Sequence, residues 1–185
     1  MNLDEAIAGR RAVREYSTQP VPEQTIRQLV AAAVMAPSAV NEQPWTFTVV
    51  RDAALLERIS RASKKHLLET MPATAHSERF QAILSDPGYQ VFYHAPVLIV
   101  VSAPAGPWVV EDCALAAQNL MLSAHALGLG SCWIGFAQYY LNTPEGKQAL
   151  GLPPGSVAVA PIIVGHPKAP VPAVPRKEPV IRWVG

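Results

Sequence analysis

The segment from Glu111 to Leu127 most constrains the fold of this chain, because its apolar residues leave no clear polar face. They are alanines, leucines and one methionine at positions 114–117, 120–122, 124, 126 and 127. A helix that is apolar on nearly every side has to be buried. The simplest way for a domain of 185 residues to bury it completely is to pack it against a second copy of itself. The segment therefore predicts a central helix at a homodimer interface.

The composition also favours an oligomer, since half of the residues are hydrophobic and only 16% are charged. The net charge of +1 gives no general attraction to nucleic acid. Cys113 and Cys132 are too few for a disulfide framework and lie in apolar surroundings, which favours reduced thiols in the cytoplasm. The apolar stretches stay short of the ~20 residues that a membrane span needs, and no basic leader opens the chain, so we expect no membrane association.

Helical and strand patterns alternate along residues 1–185, which predicts a single α+β domain. Asn2 and Glu5 have the spacing of a capping box, and the helix that they open is expected to end at Gly9. A second helix is expected with Pro22 at its first position and Pro37 as its stop. A third is expected from the apolar face formed by Leu55, Leu56, Ile59 and Ala62.

Four apolar runs predict strands, and two of them, 46–50 and 97–101, are expected to be buried. The others begin at Cys132 and cover 157–164, where Pro161 is expected to break the strand. The proline-rich stretch 167–179 cannot form a regular element, so we expect an extended tail that lies across a surface of the partner subunit.

The segment 64–93 is polar and interrupted by prolines, and we interpret it as a variable cap over a binding site. Its candidate gate residues are His76, Arg79, Phe80, Tyr89 and Phe92. Many of these side chains are equally explained by packing or by exposure to water.

Basic residues cluster near both ends of the chain, as Arg10, Arg11 and Arg14 at the start and Arg176 and Lys177 at the finish. Guanidinium groups donate bidentate hydrogen bonds to phosphate, so the two clusters suggest one anionic ligand held from both sides. Each cluster taken alone is equally typical of a solvated basic face, and that alternative stays open.

Other kinds of site find little support in the sequence. Gly128 and Gly130 follow a helix and precede a strand, which is the reverse of the order in a dinucleotide fingerprint. The histidines and cysteines lack metal-ligand spacing, so no metal is expected. Ser38 lacks the Gly-x-Ser-x-Gly context of a hydrolase nucleophile. Lys64 and Lys65 are more simply explained as helix-surface residues than as site cations.

Three motifs resemble segments of the FMN-dependent nitroreductase family, and the resemblance extends from end to end. They are Arg10-Arg11-Ala12-Val13-Arg14-Glu15-Tyr16, the run Pro37-Ser38-Ala39-Val40-Asn41-Glu42-Gln43-Pro44-Trp45, and Gly128-Leu129-Gly130-Ser131-Cys132-Trp133-Ile134-Gly135. The second motif is the most specific. Gly165-His166-Pro167 and the basic pair of the tail resemble the closing segment of the family.

The resemblance implies a role for each motif. Arg10, Arg11 and Arg14 would hold the FMN phosphate and the adjacent ring edge, although Ala12 replaces the usual serine and removes one hydroxyl contact. A loop containing Pro37, Ser38, Ala39, Asn41 and Gln43 would reach the flavin that is bound mainly by the other subunit. Trp133, Ile134 and Gly135 would lie along one face of the isoalloxazine ring, with the backbone N–H of Gly135 donating to flavin N5. Arg176 and Lys177 would return to the phosphate. Trp45 is more simply explained as a core aromatic.

The family resemblance also implies the fold and the activity. The fold would be a mostly antiparallel sheet flanked by helices, in an intertwined homodimer with FMN sites at the interface. The protein would take hydride from NADH or NADPH and then reduce a nitroaromatic, a quinone or a similar small acceptor by a ping-pong mechanism. Two alternatives remain open at this stage: an FMN-binding carrier or sensor without turnover, and a structural dimer that has lost its flavin.

Overall fold

Helices and strands alternate along the chain as the sequence predicts. The computed structural model describes residues 1–72 and 77–185. The helices are α1 (Leu3–Gly9), α2 (Glu23–Ala33), α3 (Ala53–Thr70), α4 (Ser77–Ser85), α5 (Val109–Ala126), α6 (Gly135–Leu141) and α7 (Pro144–Leu150), with a 3-10 turn at Ala39–Asn41. The strands are β1 (Thr46–Val50), β2 (Val97–Pro104), β3 (Gly130–Trp133) and β4 (Ser156–Gly165).

Side-chain caps fix where several of these helices begin. Asn2 and Glu5 form the expected capping box at the start of α1. The Asp52 carboxylate accepts a hydrogen bond from the Leu55 N–H at the start of α3. Thr143 caps α7, and Pro144 follows it within the first turn. Pro22 is the N-cap residue of α2, so its expected place inside the helix is wrong by one position.

The four strands form one antiparallel sheet in the order β1-β2-β4-β3. This confirms the α+β class and the antiparallel sheet flanked by helices. Side chains alternate between the two faces of β2 and enter two separate cores. Ile99 and Val101 pack with α2 and α5 on one face, whereas Leu98 and Val100 pack with α3 and α6 on the other.

Two strand expectations are corrected. β1 lies at an edge of the sheet, and among its residues only Val50 is buried. An apolar run of five residues does not reveal whether a strand is central or at an edge. Pro161 does not interrupt β4, where it is paired with Val100 in a continuous strand. The register shifts between Val101 and Ser102, one pair beyond the Val100–Pro161 pair.

The central helix α5 is buried along most of its length, between the sheet, α1 and α2. Leu115 is nevertheless 45% exposed, and Leu122, seven residues further on the same face, is half-buried. The helices α6 and α7, which immediately follow β3, have no counterpart in the sequence prediction. None of the helices among the described residues is both long and apolar enough to cross a membrane.

Candidate functional site

The arginine segment is fastened to β3 by main-chain pairing. After α1 ends, Ala12 forms a parallel bridge with Ser131, and the Val13 N–H donates to the Ser131 carbonyl at 3.0 Å. Gly130 makes this approach possible, since a Cβ atom there would lie 2.7 Å from the side chain of Val13. This long-range main-chain pairing brings the first and third motifs together.

A cavity of about 290 Å³ is lined in part by the two paired segments. Its walls come from the end of α1, the end of α5, β3 and the start of the tail. The residues that line it are Met1, Gly9, Arg10, Arg11, Val13, His125, Gly128, Leu129, Ser131, Pro167, Ala169, Pro170 and Val171. Two half-buried arginines thus enter a concave surface of a chain that is otherwise nearly neutral.

Two polar atoms in this cavity wall are buried and have no hydrogen-bond partner among the described residues. They are Nε of Arg11 and Oγ of Ser131. Arg11 uses its Nη1 atom to donate to the carbonyls of Ala8 at 2.6 Å and Arg10 at 2.9 Å. Buried polar groups normally have a partner, so the free Nε and Oγ atoms fit an oxygen-rich anion such as a phosphate. Ser131 was not among the site residues predicted from the sequence. It pairs with Ala12, the position at which this chain lacks the serine hydroxyl of the family motif.

A second cavity, of about 190 Å³, is lined by the next residues of both segments, Arg14 and Cys132. Its lining is mostly apolar and aromatic: Arg14, Tyr89, Val91, Tyr93, Cys132, Trp133, Ile134, Gly135 and Phe136. A Cβ atom on Gly135 would meet no atom of the described residues 1–72 and 77–185 within 4 Å. Gly135 is also the first residue of α6, where an N–H group has no carbonyl partner within the helix. A flat aromatic ring with a polar edge fits these walls.

Aromatic side chains and Arg14 organise the rim of the second cavity. The guanidinium carbon of Arg14 lies 5.9 Å from the ring centroid of Tyr93, within the range of a cation–π contact. The hydroxyl of Tyr89 donates to that of Tyr93 at 3.1 Å. Phe80 packs edge-on against Phe136 with their ring centroids 5.3 Å apart. Tyr93 and Phe136 were not among the residues chosen from the sequence.

Burial raises the pKa of the Cys132 thiol, and the positive charges of Arg14 and Arg10 act in the opposite direction. Burial and the hydrogen bond to Tyr93 raise the pKa of Tyr89. Both groups therefore keep their protons at neutral pH. The second cavity presents a neutral thiol and a phenol that donates hydrogen bonds, and the described residues in its lining include no activated nucleophile.

The turn that carries the two tyrosines is held against α3. Lys64 Nζ donates to the carbonyl of Asp86 at 2.7 Å and to that of Tyr89 at 2.9 Å. The Val91 N–H donates to Ser60 Oγ at 3.0 Å. Lys64 is thus more than a helix-surface residue, because it fixes one wall of the cavity.

The segment 64–93 contains the end of α3 and all of α4, and the interpretation of this segment as a cap remains a prediction. Phe80 and Arg79 are exposed, and Tyr89 lines the second cavity. Phe92 is fully buried in the core, so it is excluded as a gate residue. His76 lies outside the described residues.

The loop from Pro37 to Trp45 stands apart from both cavities. Ser38 Oγ accepts a hydrogen bond from the Gln43 N–H at 2.9 Å, and the Gln43 side-chain amide donates to Asn41 Oδ1 at 3.0 Å. Asn41 and Gln43 are exposed, whereas Ala39 is half-buried. Trp45 packs partly buried against the core, as its interpretation as a core aromatic predicts.

The tail runs without helix or strand from residue 168 to the end, as expected for its composition. Its first residues line the cavity beside Arg10, but Arg176 and Lys177 are exposed and line neither cavity. Among the described residues, no group of three or more His, Cys, Asp or Glu side chains is placed to hold a metal ion.

Comparison with known proteins decides what family these features belong to. A model described as the nitroreductase family matches residues 7–166. The chain belongs to the nitroreductase family. The resemblance inferred from the three motifs is thereby confirmed.

Similar members of the nitroreductase family differ in what their names say they act on. A protein of Methanothermobacter thermautotrophicus named NADH dehydrogenase/NAD(P)H nitroreductase is 34% identical, over 90% of this chain and 78% of that protein. An iodotyrosine deiodinase of Haliscomenobacter hydrossis is 30% identical, over 91% of this chain and 82% of that protein. The crystal structure of a Bacteroides fragilis nitroreductase with bound FMN matches with a TM-score of 0.87 and 27% identity, and the match covers all of both chains.

Proposed function

We propose that this protein is an FMN-dependent oxidoreductase that uses NADH or NADPH to reduce small electron-poor acceptors, such as nitroaromatics and quinones, by a ping-pong mechanism. One observation carries the proposal: the two segments joined by the Ala12–Ser131 pairing line both a cationic cavity, which contains Arg10 and Arg11, and an aromatic cavity, which contains Trp133. This arrangement suits a ligand with a phosphate at one end and a flat ring at the other. The names of similar family members support the same cofactors.

In this proposal the residues of the first cavity hold the phosphate of FMN. Arg10 and Arg11 supply positive charge, and Arg11 Nε and Ser131 Oγ gain the partner that each lacks. Arg176 and Lys177 would complete the phosphate site from the tail. The hydroxyl of Ser131 would replace the one that Ala12 cannot provide.

The second cavity would hold the flavin ring. Trp133 and Ile134 form its apolar wall, and the N–H of Gly135 lies at the start of α6. FMN supplies the hydride chemistry when it is bound, so the protein needs only to bind and orient the reactants. Tyr89 and Cys132 retain their protons and do not compete as bases.

We also propose an intertwined homodimer in which each FMN site contains residues of both subunits. The Asn41 loop and the basic pair of the tail are exposed and lie outside the cavities, which suits residues that act on a second copy. The tail ends in exposed apolar side chains, with Val180 88% and Trp183 90% exposed. The edge strand β1 and the half-exposed face of α5 are surfaces that a second copy of the chain can cover. The two free, buried cysteines favour a cytoplasmic location.

The proposal is tested by the absorbance spectrum of the purified protein after addition of FMN and desalting, repeated without oxygen after addition of NADPH or NADH. A retained flavin band that bleaches with either nicotinamide supports the oxidoreductase. A retained band that neither reductant changes supports a non-catalytic carrier or sensor. Absence of a retained band contradicts FMN binding. The nitroaromatic and quinone substrates are then tested by reoxidation of the reduced protein.

A further inference from the structure

We infer that Asp112 is a positioning residue, which holds the Ser38–Gln43 loop in the conformation that the loop needs to contact FMN. The inference rests on the proposed function, because the flavin contact of the loop is part of that proposal. Asp112 is only 4% exposed, and its Oδ1 atom accepts a hydrogen bond from the Ala39 N–H at 2.9 Å. The two residues are 73 positions apart, so this bond ties the first turn of α5 to the loop.

The loop has an unusual backbone that requires support. Val40, Asn41 and Gln43 have φ values of 44°, 58° and 50°, all in the left-handed region that favours glycine. A β-branched residue such as Val40 is especially unfavourable there. Left-handed conformations at non-glycine residues persist only where the surroundings impose them, and they are concentrated at functional sites.

The hydrogen bonds inside the loop do not connect it to the rest of the protein. Ser38 Oγ accepts from the Gln43 N–H, and the Ser38 carbonyl accepts from the Asn41 N–H at 3.0 Å. Among the described residues, the bond to Asp112 is the one side-chain hydrogen bond that connects this loop to another helix or strand. It meets the loop one residue before the left-handed Val40.

The location of Asp112 also explains why an acidic side chain can be buried there. It lies in the first turn of α5, where the helix dipole favours negative charge. A carboxylate forms a stronger hydrogen bond to an N–H than a neutral acceptor does. Asp112 lines neither of the two cavities, so it acts through the loop rather than on the reactants.

Asn119 offers a matched control on the same helix. Its side-chain amide donates to the carbonyl of Ala32 at 3.3 Å, so it also ties α5 to another part of the chain, but not to the loop. The test compares Asp112→Ala, Asp112→Asn, Asp112→Glu and Asn119→Ala in the full chain. FMN affinity is measured by quenching of FMN fluorescence, loop opening by hydrogen exchange of residues 38–43 in the FMN-free protein, and stability by thermal unfolding.

We expect Asp112→Ala to raise the Kd for FMN about tenfold or more, as loss of a hydrogen bond to a charged group implies. In the same variant, the amide hydrogen of Ala39 should exchange faster than it does in the wild-type protein. Asp112→Asn keeps an acceptor oxygen and should stay within about threefold of the wild-type Kd. Asn119→Ala should lower the unfolding temperature but leave FMN affinity and loop exchange unchanged.

Several results would overturn the inference. The first is that residues 38–43 of Asp112→Ala exchange at the wild-type rate. The second is that Asp112→Asn loses as much FMN affinity as Asp112→Ala. The third is that Asn119→Ala loses FMN affinity to the same extent. If Asp112→Ala does not fold, Asp112→Glu decides, because its longer side chain displaces the acceptor: wild-type exchange and affinity in that variant contradict the inference. Failure of the wild-type protein to bind FMN contradicts the proposed function alone, since loop exchange is measured without flavin.

Discussion

Replacing Gly130 with alanine should separate the arginine segment from β3. A Cβ atom at this position would lie 2.7 Å from Cβ, Cγ1 and Cγ2 of Val13. Val13 is itself buried, and its N–H is bonded to the Ser131 carbonyl, so it cannot simply turn away. Overpacking of this kind costs about 1–3 kcal/mol of unfolding free energy. In a chain of this size, where 1 kcal/mol corresponds to roughly 2–4 °C, the unfolding temperature should fall by roughly 2–12 °C.

The assay is urea unfolding of the FMN-free protein, followed by circular dichroism, for Gly130→Ala, Val13→Ala and the double variant. Val13→Ala removes two methyl groups, at about 0.8 kcal/mol each before any cavity cost. The new methyl group of Gly130→Ala then occupies part of the space vacated by Val13. The double variant should therefore be less destabilised than the sum of the single variants by about 1 kcal/mol. Gly155→Ala, whose Cβ would meet nothing within 4 Å, is the control and should change stability by less than about 0.5 kcal/mol.

Additive effects of the two substitutions would refute this account, because they would show that the two side chains do not compete for the same space. FMN binding gives a second readout. Displacement of Val13 moves the backbone between Arg11 and Arg14, so Gly130→Ala should also weaken FMN. Wild-type FMN affinity in a clearly destabilised Gly130→Ala protein would mean that this segment does not hold the cofactor.

Four further predictions address the cofactor, the cavity wall, the thiol and the tail. Arg10→Ala, in the cationic cavity, and Arg14→Ala, in the aromatic cavity, should each weaken FMN by about 1.5–3 kcal/mol, measured by fluorescence quenching, and unchanged affinity in Arg10→Ala would remove the phosphate assignment. Lys64→Met should leave FMN affinity within about twofold but raise the KM for the acceptor, because the carbonyls of the tyrosine turn lose their ammonium donor; an unchanged KM would show that the turn does not face the acceptor. Burial raises the pKa of Cys113 from 9.0 to about 12, so the native state keeps a proton that the unfolded chain loses. The contribution of the buried thiol to the free energy of unfolding is complete below pH 9 and is lost as the pH rises from 9 toward 12. The urea midpoint of Cys113→Ala should therefore fall less steeply across this pH range than that of the wild-type protein. Removal of residues 180–185 should shift sedimentation from dimer to monomer, whereas a dimer of unchanged stability would exclude this end of the tail from the interface.

The sequence predicted those parts of the fold that depend on local signals. The Asn2 capping box, the strand that begins after Pro96, and the long apolar helix all formed as their patterns indicate. Helix α6 was missed because it is short and, unlike the equally short α1, has no side-chain cap at its start. Helix α7 was missed although Thr143-Pro144 is a recognisable start signal.

Some residues of the candidate site also follow from local sequence signals. The motifs identified Arg10 and Trp133 because their residue types are specific, and the structure places them in the walls of two adjacent cavities. Ser131, Tyr93 and Asp112 were missed because their importance depends on long-range contacts. Ser131 becomes informative only when its bridge to Ala12 and its buried, unpartnered hydroxyl are seen together.

The division of the proposed site between two copies leads to a quantitative linkage. Within one chain, the arginine segment and Gly135 lie beside the cavities, while Asn41 and Lys177 are exposed elsewhere. If one FMN molecule contacts both groups of residues, FMN and the second subunit must strengthen each other's binding by the same factor. The apparent Kd for FMN should therefore rise as the protein is diluted below its dimer dissociation constant. Saturating FMN should lower that constant by the square of the same factor, because the proposed dimer holds two FMN molecules. Fluorescence titrations at several protein concentrations, paired with sedimentation in the presence and absence of FMN, measure both sides of this relation. An FMN affinity that stays constant through dissociation of the dimer would place the complete site within one chain.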